Sequence, residues 1–160
     1  MSSLIQLDDN HLSPHFTLSE FIRSATADKR GIDNVPPSAV LTSLKRLALC
    51  CEQVRRELDD VPMMVSSGYR CPALNAAVGG SKNSRHLMGL ACDFTAPAFG
   101  SPLAICQKLI ASDITFDQLI LEYSANANWV HFGIAPIEQT PRRQVLTINN
   151  KGIRMGLLVR

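Results

Sequence analysis

Residues 84–94 read Ser84-Arg85-His86-Leu87-Met88-Gly89-Leu90-Ala91-Cys92-Asp93-Phe94. From Leu90 on, the stretch is a short apolar run interrupted by one carboxylate, and successive side chains of a strand point to opposite faces. Leu90, Cys92 and Phe94 can therefore enter a core while Ala91 and Asp93 face the other way. The same parity recurs in Trp129–Ile134, where Val130, Phe132 and Ile134 oppose Trp129, His131 and Gly133. It recurs again where Leu119 and Leu121 oppose Gln118, Ile120 and Glu122. Each strand has one side to bury and one side that can line a cleft.

The rest of the chain supplies the layer that buries the apolar side. A helix capped by Thr17 or Ser19 places Phe16, Phe21 and Ile22 for packing and ends at Gly31. After Pro36-Pro37, Ser38 can cap the longest helix, in which Val40, Leu44, Leu47, Cys51, Val54 and Leu58 form one stripe at three- and four-residue steps. Lys45, Arg46, Arg55 and Arg56 form its solvated face. Met63-Met64-Val65 reads as a strand ending at Ser66-Ser67-Gly68. Ser101-Pro102 opens a further helix, with Leu103, Cys106, Leu109 and Ile110 as its core stripe. Val145–Ile148, the turn Asn149-Asn150-Lys151-Gly152 and Ile153–Val159 suggest a closing hairpin. Helices followed by strands with one helix between them favour an α+β fold with a mainly antiparallel sheet over alternating βαβ units. One domain over 1–160 is expected, with 1–15 as an N-terminal extension and 141–160 as a closing segment.

Composition narrows the function classes. With 46% hydrophobic and 19% charged residues, 9 Gly and 9 Pro, the 160-residue chain is globular in type. A formal charge of +2 gives no field that would draw nucleic acid or an anionic membrane, so neither is expected as a partner, and a monomer is expected. The start lacks a basic region followed by an apolar one, which suits a product cytoplasmic when synthesised. Five cysteines without a Cys-x-x-Cys pair argue against a disulfide framework or a cysteine zinc knuckle, and suit small buried hydrophobes.

His86, Asp93 and His131 offer two imidazole nitrogens and a carboxylate oxygen, the ligand chemistry of a catalytic zinc site, which keeps a fourth position open for water. By spacing alone, an ordinary pair of polar histidines and a strand-edge aspartate remains an equal reading.

The pattern Ser84-x-His86-x-x-Gly89-x-Ala91-x-Asp93 followed by Trp129-Val130-His131 resembles the zinc D-Ala-D-Ala metallopeptidases that cut bacterial peptidoglycan, including their small phage-type members. Ser67-Gly68-Tyr69-Arg70-Cys71-Pro72-Ala73-Leu74-Asn75 with Val78-Gly79-Gly80 is similar to that family's arginine-bearing segment. Phe16-Thr17-Leu18-Ser19-Glu20-Phe21 and Asn34-Val35-Pro36-Pro37 resemble the opening of the phage-type members. The resemblance implies a zinc ion held by His86, Asp93 and His131, a peptidoglycan peptide as substrate, and a fold related to the hedgehog domain. It leaves open a phage-type endolysin, a carboxypeptidase, or a zinc-stabilised binding or structural module without catalysis.

Many carboxypeptidases of that family carry a glutamate three residues before the last histidine ligand, where this chain has Asn128. The arrangement Phe116-Asp117-Gln118-Leu119-Ile120-Leu121-Glu122 resembles phage-type members whose acid ends the preceding strand, which makes Glu122 the candidate base and leaves Asp117 and Glu138 as substitutes. Arg70 can stabilise an oxyanion or grip a substrate carboxylate. With no second arginine evident beside the motif, the oxyanion role and cleavage within cross-linked stem peptides are expected. Ser84, Asn75 and Trp129 are candidate substrate contacts.

Overall fold

The computed structural model describes residues 10–158. The expected extension and the end of the closing segment therefore lie partly outside the described residues. The strands are β1 (His11–Ser13), β2 (Phe16–Thr17), β3 (Met64–Ser67), β4 (Ala91–Thr95), β5 (Gln118–Tyr123), β6 (Asn128–Gly133), β7 (Gln144–Asn149) and β8 (Gly152–Met155). The helices are α1 (Leu18–Ile22), α2 (Ala25–Arg30), α3 (Ser38–Glu57), α4 (Pro72–Ala77) and α5 (Pro102–Ala111), with a 3-10 turn at Arg85–Met88.

Helix boundaries follow local capping chemistry. Glu20 accepts from the Thr17 N–H at 2.8 Å and starts α1. The single helix expected as far as Gly31 is instead two, because the Ser24 hydroxyl accepts from the Ala27 N–H at 3.3 Å and begins a new helix. In α3, Leu44, Leu47, Cys51 and Val54 are fully buried, with Leu58 just past its end. In α5 the buried stripe is Ile105, Cys106 and Leu109, while Ile110 reaches solvent. A 3.6-residue repeat with Pro102 facing inward sets that phase.

The main sheet runs β3-β4-β6-β5-β7-β8. All its pairings are antiparallel except β5 with β7, which run parallel from Gln118↔Gln144 to Glu122↔Ile148. With four antiparallel pairings and one parallel among the described residues, the sheet is mainly antiparallel, as expected. Both neighbours of β6 are already in place when β7 is added, so the chain must cross to the free edge of β5, where the Gln144 N–H donates to Asp117 O at 2.9 Å. One face of the sheet carries Cys92, Phe94, Leu119, Leu121, Val130 and Phe132, all fully buried in a single cluster with α3 and α5. Burying each such large side chain contributes about 1.5–3 kcal/mol, so stability is concentrated on this face and the other is left for polar groups. The β1–β2 hairpin joins the same cluster through Leu12 and Phe16, so the described part of the N-terminal segment is packed structure.

Candidate active site

The opposite face of the sheet forms the floor of a cavity of about 820 Å³. In register across it stand Asp93, His131 and Ile120 in one row, with Trp129 and Glu122 in the next. The motif spacing brings His86 to the same place. Ser84 Oγ accepts from the His86 N–H at 3.3 Å and opens the 3-10 turn, and Gly89 closes it with φ of 65°. A Cβ on Gly89 would lie 2.9 Å from Val40 Cγ1 and 3.0 Å from Leu44 Cγ, so the residue is required by packing on α3 as well as by conformation. Gly68 serves from the other side. A Cβ there would lie 2.4 Å from Phe21 O, and its own carbonyl accepts from His86 Nδ1 at 2.6 Å. That bond leaves His86 Nε2 as the free lone pair, aimed at Asp93 Oδ1 across 3.3 Å.

His131 Nδ1 lies 3.0 Å from the same Asp93 oxygen. Candidate ligand atoms of His86, Asp93 and His131 all lie within 4.8 Å of one another, and all three residues are buried. Zinc bonds of about 2.0–2.2 Å in a tetrahedron separate neighbouring donors by about 3.3–3.6 Å. The separation of 3.3 Å falls in that range and that of 3.0 Å lies a little short of it, and two imidazoles with one carboxylate suit zinc in charge and softness. The residues present fit the ion.

Arg70 is fixed beside them. Its Nη2 donates to Asp93 Oδ2 at 3.0 Å and its Nε to Ser67 Oγ at 3.0 Å, which orients Asp93 and leaves Nη1 for whatever occupies the cavity. The surrounding loop is pinned by Asn34, whose Nδ2 donates to Ile22 O at 2.8 Å and Tyr69 O at 2.9 Å while its Oδ1 accepts from the Cys71 N–H at 2.7 Å. Desolvation pushes the Asp93 carboxyl up, yet the His86 charge and the hydrogen bonds of His131 and His86 outweigh it and hold the carboxyl far below the usual carboxylate range. Glu122 lines the cavity half-buried. Desolvation, and then the nearby Asp93 charge, raise its carboxyl above the ordinary value.

Ser84 and Trp129 also line the cavity. Asn75 does not. Its buried side chain donates to Ser81 O at 2.9 Å, which braces the Gly79-Gly80-Ser81 wall from behind. Asp117 is unsuited to the base role because Arg142 donates to it from Nη2 at 2.7 Å and from Nε at 3.0 Å. Glu138 is exposed and absent from the cavity wall. The expectation of no second arginine near the motif fails, since Arg85 and Arg142 both line the cavity. Arg85 lies inside the quoted motif, where its direction follows from the 3-10 turn. Arg142 reaches the site by the β6–β7 crossover, and no local pattern announces that.

A family description, Peptidase M15, matches residues 14–133. The chain belongs to the Peptidase M15 family. The zinc D-Ala-D-Ala carboxypeptidase of Streptomyces albus G is 31% identical over 103 residues, covering 62% of this chain and 38% of that protein. The likeness thus spans well under half the length of that relative. The M15 match takes in Arg70, His86, Asp93, Glu122 and His131, and ends before β7 and β8. Among the described residues, no helix is long and apolar enough to cross a membrane.

Proposed function

We propose that this M15 protein is a zinc peptidase of D-Ala-D-Ala carboxypeptidase type, acting on the peptides of bacterial cell-wall peptidoglycan. The observation that carries the reading is the convergence of His86, Asp93 and His131 on one locus at the floor of an open cavity. Zinc held there would supply a Lewis acid that polarises the scissile carbonyl and acidifies a water molecule. Glu122, one row along the same face and diagonal to His131, takes the proton of the attacking water and returns it to the leaving nitrogen. Its raised proton affinity suits both transfers. Arg70, held by Ser67 and Asp93, presents Nη1 to the negative charge that grows on the carbonyl oxygen. Trp129 and Ser84 contribute walls that orient the peptide.

The resemblance at Phe16–Phe21 and Asn34–Pro37 supports a phage-type member of the family; clearing of a cell-wall suspension, which requires cleavage of cross-links, would replace the carboxypeptidase reading by a lytic endopeptidase. Protein purified without added metal is expected to hold about one equivalent of zinc and to release amines from purified peptidoglycan until chelator is added. Zinc content unchanged in His131→Ala would overturn the ligand set. Amine release that is absent from the zinc-loaded protein would overturn the peptidase and leave a non-catalytic zinc module.

A further inference from the structure

Charge is unbalanced at one corner of the cavity. At the metal locus Arg70 is matched by Asp93 at 3.0 Å. Arg85 and Arg142 line the cavity elsewhere, and both face the buried Asp117. Arg142 donates to it from Nε and Nη2 and from its backbone N–H, while Arg85 Nη2 stands 3.5 Å from Oδ2. The other partner of Arg85 is the neutral Gln139, at 3.4 Å. One carboxylate thus answers two guanidiniums. Unit positive charge is left at a wall facing the cavity, with unused fork donors on both side chains.

Strand register places this corner relative to the chemistry. Glu122 and Trp129 lie one row to one side of the Asp93–His131 row, and Gln118 and Gly133 one row to the other. The Asp117 N–H donates to Gly133 O at 2.8 Å, so the cationic corner adjoins the Gln118 side, away from Glu122. Alternate residues of a strand are about 6.5–7 Å apart. A peptide residue spans about 3.3–3.6 Å, so a carboxylate one residue beyond a bond held at the metal locus comes within reach of a long guanidinium based one row away.

We propose that Arg85 and Arg142, positioned by Asp117, form a subsite for a peptide carboxylate, and that its occupant is the free α-carboxylate of the residue released by cleavage. The proposal rests on the peptidase reading above and sharpens it to removal of a C-terminal residue. Arg142 lies beyond the segment matched by the family, so the subsite draws on this chain's own crossover.

The test uses peptides ending in D-Ala-D-Ala as the free acid and as the amide, with a second pair differing by internal Glu or Gln. Amidation is expected to raise KM about tenfold to a hundredfold in the unaltered protein with little change in kcat. Arg85→Gln, which leaves Asp117 paired with Arg142, is expected to remove most of that discrimination, and the double variant Asp117→Asn with Arg142→Gln the remainder. Calorimetric titration of zinc-loaded Glu122→Gln protein with the same peptides reads the subsite without turnover. Acid-selective binding without cleavage by the unaltered protein would keep the subsite and sink the peptidase. Equal binding and cleavage of acid and amide would keep the peptidase and sink the subsite. Discrimination confined to the internal pair, or surviving intact in both folded variants, would overturn the assignment of the terminal carboxylate to these arginines.

Discussion

Asn34→Ala tests whether the segment Asn34-Val35-Pro36-Pro37 matters to the site through one side chain. Asn34 is 8% exposed and makes three bonds of 2.7, 2.8 and 2.9 Å, joining the end of α1 to the backbone on both sides of Arg70. Alanine leaves the Cys71 N–H and the carbonyls of Ile22 and Tyr69 without that partner. At about 1 kcal/mol each, the lower end for an abandoned buried group, the loss is about 3 kcal/mol. For a chain of this length that is a fall in Tm of about 6–12 °C, measurable by calorimetry or circular dichroism. Because Tyr69 and Cys71 are the neighbours of Arg70, its bond to Asp93 should loosen as well, lowering kcat about tenfold or more. That loss should be non-additive with Arg70→Ala if both act through the same guanidinium. A Tm shift below about 2 °C would refute the clasp. Additive kinetic losses would refute its action through Arg70.

Glu122→Gln should keep zinc content and Tm while turnover falls at least about a hundredfold, since an amide cannot accept the water's proton; near-normal turnover would move the base elsewhere. Gly89→Ala combines a left-handed backbone penalty with a Cβ pressed against Val40 and Leu44, about 2–5 kcal/mol together in denaturant titration. Gly31→Ala, at φ of 63° with open space around it, should cost only the backbone part, and equal losses at both positions would discount the α3 contact. Arg142, chiefly, holds the Asp117 carboxyl below its ordinary value, so the stability it contributes is present above about pH 4 and is lost as the pH falls through the folded value. Asp117→Asn should therefore be less stable than the unaltered protein at pH 7, with the gap narrowing toward pH 2; a gap independent of pH would show that the carboxylate's charge contributes nothing.

Strand parity made much of the floor legible, because a two-residue period is local. Once Asp93, His131 and Glu122 are placed on strands, their common face follows with no knowledge of which strand neighbours which. The stripe of α3 was legible for the same reason, at a period of 3.6. What escaped is what the apolar period does not carry, namely local side-chain bonds to the backbone and pairings between distant segments. Ser24 splits the first helix by a cap that the apolar pattern does not reveal. β7 joins β5 in parallel because the inner positions are taken. Asn75 appears in the motif as a possible substrate contact, yet its amide lies under the Gly79-Gly80 wall, since α4 turns its side chain inward.

The two arginine groups separate by what their acids do. Arg70 is tied to Asp93, a residue that also serves the metal locus, so any change at Arg70 disturbs ligand geometry and chemistry together. Arg85 and Arg142 are tied to Asp117, which faces no metal ligand and sits at the start of β5 beneath the crossover. Their guanidiniums can change without moving His86 Nε2 or Asp93 Oδ1, because His86 is fixed independently by the Gly68 carbonyl and Asp93 by Arg70. Selectivity for the substrate's end and power at the cut bond are thus carried by separate ion pairs, Arg70 with Asp93 and the Arg85–Arg142 pair with Asp117. Variation in the crossover can then alter which peptide end is accepted while the machinery around His131 stays in place.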